Sequence, residues 1–464
     1  MKARKHVHFV GIGGIGMSGI AKIVLRSGHA VSGSDLKENQ ETRNLREMGA
    51  VIFIGHRAEQ IEGADVVVYS SAVSPENPEL LEAHGRHMPI LVRAEMLAEL
   101  MRKKDTIVVA GAHGKTTTSA MITTVLLEAG FDPTAVIGGR LRSIASNAKV
   151  GTDEWFVCES DESDGSFLKL LPTLAVVTNI DREHLNHYGT FERLQAAFVD
   201  FSNRVPFDGL VVICRDDPYA AELVANVRRP VMTYGIDLPA NVRGLRVEAA
   251  GEGMRFDLEL DGTKLAEIQL PILGKHNVLN ALAASAVALQ LGVSAANIAA
   301  GLGRFSGIER RLEKKGEAAG ICVLDDYAHH PTEIRASIEA LRCGMSHGAL
   351  RVLFQPHRFS RVRDLWDDFL GAFSGADQLV VTPIYAASES PITGIDSERL
   401  VEALRRRGLK GVEYAKTLEE AAQTIAKAGR PGDRVVTMGA GDVTRAASLL
   451  MGIFEKAQSK EVGG

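Results

Sequence analysis

Gly111-Ala112-His113-Gly114-Lys115-Thr116-Thr117 follows an apolar run, TIVVA at 106–110, and opens a helical pattern. Glycines there expose backbone N–H groups to phosphate oxygens, Lys115 adds a point charge and the Thr116 hydroxyl suits a magnesium ion, so the spacing predicts an ATP site. It departs from the generic phosphate loop at Val109, where that pattern places glycine. A second loop, Gly11-Ile12-Gly13-Gly14-Ile15-Gly16, fits G-x-G-x-x-G, and Asp35 closes the strand that follows the next helix. Such glycines let a diphosphate approach a helix N-terminus while the carboxylate accepts from ribose or base; NAD, FAD and a UDP-sugar all fit. Ser70 and Ser71 close another strand and either add hydroxyls to the same edge or simply end it.

Three more groups stand where strands end. Cys158-Glu159-Ser160-Asp161-Glu162-Ser163-Asp164 begins with Glu159 directly after an apolar run, a natural magnesium ligand beside ATP. Asp161, Glu162 and Asp164 read as a solvated acidic loop. Thr178-Asn179-Ile180-Asp181-Arg182-Glu183-His184 supplies an imidazole, a possible second ligand. Asn277 and Asn280 share a helix face and either cap that helix or read an adenine edge; Arg310 and Arg311 either reach phosphates or stay solvated. Farther on, Asp325-Asp326-Tyr327-Ala328-His329-His330-Pro331 and Gln355-Pro356-His357-Arg358-Phe359-Ser360-Arg361 each close a strand. Arg358 and Arg361 fall on one face and suit a carboxylate.

Parallel α/β units would bring these strand ends to common edges. Residues 6–12, 30–34, 51–54 and 65–70 read as strands around a helix at 16–27, and a helical pattern at 93–102 ends in MRKKD. Strands at 106–110, 154–159, 174–179 and 209–214 make a second unit; β-rich alternation fills 231–271 and an Ala-rich helix 276–291. After a polar, glycine-containing stretch near 306–318, CVLDDY, LRVLFQ, QLVVTPIY and DRVVTMGA alternate with helices. The expected fold is α/β in three domains: Rossmann-like over 1–103, P-loop ATPase-like over 104–312, and Rossmann-like over 313–464. The length agrees, since 464 residues make about three domains at roughly 150 each.

Composition sets the class of partner. With 53 Lys and Arg against 58 Asp and Glu, the net charge of −5 is too mild for a nucleic-acid or anionic-membrane surface, and no run is long and apolar enough to span a bilayer. The four cysteines, at 158, 214, 322 and 343, have neither CxxC spacing nor secreted-scaffold density, so a reduced, cytoplasmic protein is expected. The basic start followed by an uncharged run from His6 to Ala21 imitates an export signal, but its glycines and the polar segment that follows argue against one. The sequence sets no oligomeric state.

Taken in order, GIGGIGMSGIA, SSAV, GAHGKTTT, ESDESDGSF, TNIDREHLNHYG, GKHNVLNALAA, RRLE, DDYAHHPTEI and QPHRFSR resemble the Mur ligases of peptidoglycan synthesis. The resemblance implies an ATP-dependent amide-forming enzyme in which a carboxylate is phosphorylated and an amine displaces the phosphate. In the branch whose motifs match, the substrates are UDP-N-acetylmuramate and L-alanine. Carried over by position, Gly11, Gly13, Gly14, Gly16, Asp35, Ser70 and Ser71 would hold the UDP-sugar. Gly111 through Thr117, with Asn277, Asn280 and Arg311, would hold ATP. Thr116, Glu159 and His184 would hold Mg2+; Lys115, Glu159, His184, Arg311 and Asp326 would be catalytic. Tyr327, His329, His357, Arg358 and Arg361 would receive the amino acid. Two departures stand out: Ala112, where the family usually has Thr, and Asn186, where an Asp often follows the metal-site histidine. Three domains closing around one carboxylate also imply hinges near 103 and 312.

Overall fold

Three sheets account for the strand-like runs. In the first, all neighbours are parallel and run in the order Val51–Ile54, Ala30–Asp35, His6–Val10, Val66–Tyr69, Ile90–Val92. Chain order reverses beside His6–Val10, the position at which an open parallel sheet leaves a crevice at its carboxyl edge. The first glycine loop leaves the sheet there and enters helix Ile15–Arg26. This computed structural model describes residues 4–70, 72–387 and 389–462, so Ser71 lies outside the described residues.

The second sheet has ten strands in the order Thr263–Leu270, Gly253–Leu260, Val242–Ala250, Val231–Gly235, Leu210–Cys214, Leu174–Val177, Asp105–Ala110, Trp155–Glu159, Thr134–Leu141, Ser146–Lys149. Its middle is parallel and carries near-continuous apolar runs, because both faces are covered. Asp105–Ala110 sits between Leu174–Val177 and Trp155–Glu159, so the ATP-type loop, Asn179 and Glu159 emerge side by side. The antiparallel hairpin Thr134–Leu141/Ser146–Lys149 closes one edge, an element that the sequence did not announce.

The third sheet runs Glu313–Ala318, Ile321–Asp326, Arg434–Met438, Leu350–Phe354, Gln378–Val381, Val412–Tyr414, parallel except for its first pair. Helix Pro331–Cys343 starts where the sequence placed Pro331, with His330 and Glu333 forming a reciprocal cap. Packing divides the chain into two compact units. One runs to Val247 and takes in Phe256–Leu270 and Asn277–Ser306; the other comprises Glu248–Arg255, Pro271–His276 and the chain from Gly307 onward. The first two sheets thus share one unit, and the segment near 103 joins packed layers.

At the amino edge of the third sheet, Asp433 is buried and accepts from Ala349 N (2.7 Å), Arg430 N (2.9 Å) and Arg351 Nε (2.8 Å). Burial opposes its charge, but these donors outweigh burial and hold the carboxyl below the usual range. A depressed folded-state pKa contributes stability above the unfolded value and loses it as pH falls. Asp433→Ala is expected to cost about 3 kcal/mol at pH 7, a difference that shrinks in melts below about pH 4.

Candidate active site

The glycine loop of the first sheet is already organised around acceptors. Gly11 N and Ile12 N both donate to Ser34 O, at 2.9 and 3.0 Å, and Gly13 N donates to Asp35 Oδ2 at 2.8 Å. Ser70 lies against Gly11 from the neighbouring strand end. Gly11, Gly13, Gly14, Gly16, Asp35 and Ser70 therefore gather at one edge, with the N-terminus of helix Ile15–Arg26 among them.

Around the second loop the geometry is tighter. Gly111 has φ +133°, and a Cβ there would come 2.1 Å from Thr178 Oγ1, so this turn requires glycine. Asn179 braces the loop: its Oδ1 accepts from His113 N at 2.8 Å and its Nδ2 donates to His113 O at 3.0 Å. Asp181 lies 2.9 Å from His113 Nε2. Behind the loop, Asn280 Oδ1 accepts from Thr118 Oγ1 at 3.1 Å, and Asn280 Nδ2 donates to Asn277 Oδ1 at 3.3 Å. Both amides are buried, and Asn280 sits beneath Gly114.

Lys115 Nζ donates to both oxygens of Glu162, at 2.9 and 2.8 Å, and to the carbonyls of Gly111 and Ala112. Burial alone would depress the lysine, but Glu162, Asp161 and Glu159 outweigh it and raise its pKa. The ammonium therefore stays charged. Glu162 is only 4% exposed, which corrects the expectation of a solvated acidic run. The loop folds back over it: Tyr188 Oη donates to Glu162 O at 2.5 Å, and Arg93 Nη2 donates to Asp161 Oδ2 at 3.0 Å. Asp164, by contrast, is exposed as expected.

Thr116 Oγ1 donates to Glu159 Oε2 at 2.7 Å, so hydroxyl and carboxylate converge. His184 has φ +59°, and its Nε2 faces Glu162 and Glu183 at 3.9 and 3.7 Å. The ligand atoms of Glu162, Glu183 and His184 all fall within 4.8 Å of one another, an oxygen-rich donor set suited to a hard divalent cation. Sequence reasoning named Glu159 and His184 but missed Glu162 as a contributor. Asn186 is the second residue of the short helix Leu185–Tyr188, and its side chain lies outside the described residues.

The other unit holds the third cluster. Asp326 is 3% exposed and accepts from Ser337 Oγ (2.5 Å) and Ala328 N (3.1 Å). Tyr327 carries the guanidinium groups of Arg310 and Arg311 at 4.9 and 5.3 Å, a cation–π pair. Arg310 also donates to the carbonyls of Gly439 and Gly441, so it is committed within its own sheet. Tyr327, His329, His357 and Tyr385 follow one another edge to face and then stacked, with centroids 5.4 to 5.7 Å apart. Burial, with His329 and the nearby arginines, lowers His357 to about 3, so it is a neutral imidazole at pH 7. Its Nδ1 is 3.1 Å from Arg361 Nη1. Arg358 is exposed in the left-handed region at φ +68°, a strained posture for a non-glycine residue and a common mark of a working site.

Known proteins place these geometries in context. The Mur ligase family catalytic-domain model matches residues 6–105, the Mur ligase middle-domain model 109–288, and the Mur ligase glutamate ligase-domain model 310–441. A UDP-N-acetylmuramate–L-alanine ligase of Trichlorobacter lovleyi is 50% identical over 446 residues, spanning 96% of this chain and 98% of that one. The corresponding Geobacter sulfurreducens enzyme is 47% identical over 97% and 98%. Among solved structures, the UDP-N-acetylmuramate-alanine ligase of Thermotoga maritima superposes with a TM-score of 0.84 at 30% identity, covering 98% of this chain and 100% of that one.

Burial raises the Asp326 pKa to about 6 despite Arg311 and its donors. A carboxyl raised above its unfolded value binds its proton more tightly in the fold, so it loses stability as pH climbs from about 4 through 6. Asp326→Asn is therefore expected to stabilise the fold at pH 7.5 by on the order of 1 kcal/mol, seen as a higher Tm, with little gain at pH 4. Paired melts at the two pH values check the sign, and an equal shift at both would contradict it.

Proposed function

The chain belongs to the Mur ligase family, and from that premise we propose that its glycine loops and the Asp326 cluster divide one amide-forming reaction among them. It is an ADP-forming, ATP-dependent ligase of peptidoglycan precursor synthesis, joining L-alanine to UDP-N-acetylmuramate. The finer reading assigns the parts. Gly11–Gly16, Asp35, Ser70 and Ser71 take the UDP-sugar; Gly111–Thr117, Asn277, Asn280 and Arg311 take ATP; Tyr327, His329, His357, Arg358 and Arg361 take L-alanine. These tasks map onto 1–103, 104–312 and 313–464.

A carboxylate is a poor electrophile at neutral pH, so it is activated first. One of its oxygens bonds to the γ-phosphorus of ATP as the bond to ADP breaks. The amine of L-alanine then attacks the acyl carbon, the C–O bond to phosphate breaks, and the nitrogen gives up a proton. Catalysis of this kind is mainly positioning and neutralisation of charge on the transferring group. Lys115, held charged beside Glu162, supplies a fixed cation. Thr116, Glu159 and His184 would hold Mg2+, whose contribution is to offset phosphate charge. In this assignment Asp326 stands near the ATP and amine groups, a buried carboxylate for the incoming ammonium, which gives up a proton before it attacks.

The observation that carries the reading is the convergence of Lys115, Thr116 and Glu159 on one phosphate loop. All four cysteines are free, which supports a reduced, cytoplasmic setting; among the described residues no helix is long and apolar enough to cross a membrane.

ADP release is expected only when UDP-N-acetylmuramate, L-alanine, ATP and Mg2+ are all present; a substrate-omission assay decides, and NADH formation without ATP would overturn the reading. Lys115→Ala is expected to abolish turnover while UDP-sugar binding, measured by calorimetry, survives, because the two loops are built on different sheets. Arg358→Ala should chiefly raise the KM for L-alanine. A rise confined to the KM for ATP would remove Arg358 from the amino-acid site.

A further inference from the structure

Two features of helix Ile15–Arg26 are left over from the ligase reading: Gly19, beyond the phosphate-facing loop, and Lys22, a cation only 5% exposed. Both face the hairpin Thr134–Leu141/Ser146–Lys149 of the second sheet. A Cβ on Gly19 would stand 3.2 Å from Val136 Cγ1, 3.4 Å from Asn147 Nδ2 and 3.7 Å from Ala148 Cβ, so the missing side chain lets helix and hairpin approach. Into this seam Lys22 Nζ donates to Glu41 Oε2 at 2.5 Å and to Asn147 Oδ1 at 2.6 Å. Asn147 is fully buried, and its Nδ2 donates to Ile15 O at 2.5 Å and to Ser18 Oγ at 3.0 Å. Ile15 begins the helix whose N-terminus forms the first glycine loop. A buried amide held at both ends, one partner being charged, is short-range and directional.

The same hairpin reaches the ATP side. Gly138 lies against the Glu159 carboxylate so closely that a Cβ there would fall 1.7 Å from Oε1. A second strut runs parallel to this one: Arg93 Nη1 would sit 3.3 Å from a Cβ on Gly16, and Arg93 Nη2 donates to Asp161, two residues past Glu159. The glycine loop of one sheet and the carboxylate loop of the next are thus braced through two connections, the Asn147 seam buried and the Arg93–Asp161 pair partly exposed.

We infer that Asn147, seated by Lys22 and Glu41 and admitted by Gly19, is a positioning residue that fixes the first glycine loop in register with the Glu159 edge. The inference rests on the ligase reading, in which those two loops hold the carboxylate acceptor and the phosphoryl donor. In-line transfer between groups held on separate sheets requires the sheets to keep a fixed offset, and this seam sets it.

The test compares wild type, Asn147→Ala and Gly19→Ala in steady-state kinetics, ADP-per-amide stoichiometry and thermal melts. Alanine favours the helix intrinsically but pushes the seam open by a few tenths of an ångström, so Gly19→Ala separates positioning from stability. For both variants kcat for amide formation is expected to fall about 10- to 100-fold. The KM for ATP should not change, ADP release should exceed amide formed, and Gly19→Ala should melt at or above wild type. Wild-type kcat and stoichiometry in Gly19→Ala would overturn the inference, as would an Asn147→Ala that loses only Tm. If Asn147→Ala does not fold, Gly19→Ala decides. Failure of wild type itself to release ADP with all substrates would instead sink the ligase reading, a result distinct from variants that match an active wild type.

Discussion

A lysine ammonium taken out of water at the end of a parallel sheet must be met by negative charge, and around Lys115 the chain supplies it from its own loop. Much of the neighbourhood follows from that requirement. Glu162 is drawn inward, the ESDESD segment folds over the phosphate loop, and Tyr188 and Arg93 secure it from two sides. The loop is thereby held by side chains of its own neighbourhood. Asn179 works toward the same end from the neighbouring strand, holding both backbone groups of His113.

The third cluster solves a different electrostatic problem. Asp326 is buried with only neutral donors in direct contact, and burial raises its pKa; His357 is kept neutral among cations. Opposite environments push a carboxyl up and an imidazole down, so the rim presents one group that resists losing its proton and one that resists gaining it. That separation is a frequent trait of sites that handle protons, and it costs stability that a purely structural edge would keep. Asp433, at the far edge of the same sheet, is the contrast: equally buried, but fully supplied with donors and a guanidinium.

Much of the fold was legible because buried parallel strands are nearly continuous apolar runs that end at glycine or polar residues. TIVVA, LAVVTN, GLVVIC and DRVVTMGA announce themselves, and so do the loops after them. The hairpin at 134–149 did not, since TAVIGGRLRSIASNAK mixes glycines, arginines and small residues without an alternating pattern. Glu162 was misread for a related reason: a run of acids looks solvated until the fold shows which one turns inward. Spacing can place Glu159 at a strand end. It cannot tell that Glu162, three residues later, is the one Lys115 grips. Gly19 and Lys22 were visible as letters, but their partners in the hairpin lie more than a hundred residues away.

The length of the chain suggested three domains, and closure around one carboxylate implied hinges near 103 and 312; the packing gathers the first two sheets into one compact unit. Lys22, Glu41 and Asn147 form a buried polar cluster between the first two sheets; opening it would leave the Lys22–Glu41 pair intact but break the bonds of Asn147 to Lys22, Ile15 and Ser18. The cost of that rupture is several hydrogen bonds at once, so movement at residue 103 is opposed by chemistry remote from it in sequence. Flexibility of a linker is therefore no guide to motion where the bodies it joins are fastened elsewhere. In the ligase reading, the offset between acceptor loop and donor loop is carried by this seam, within one compact unit.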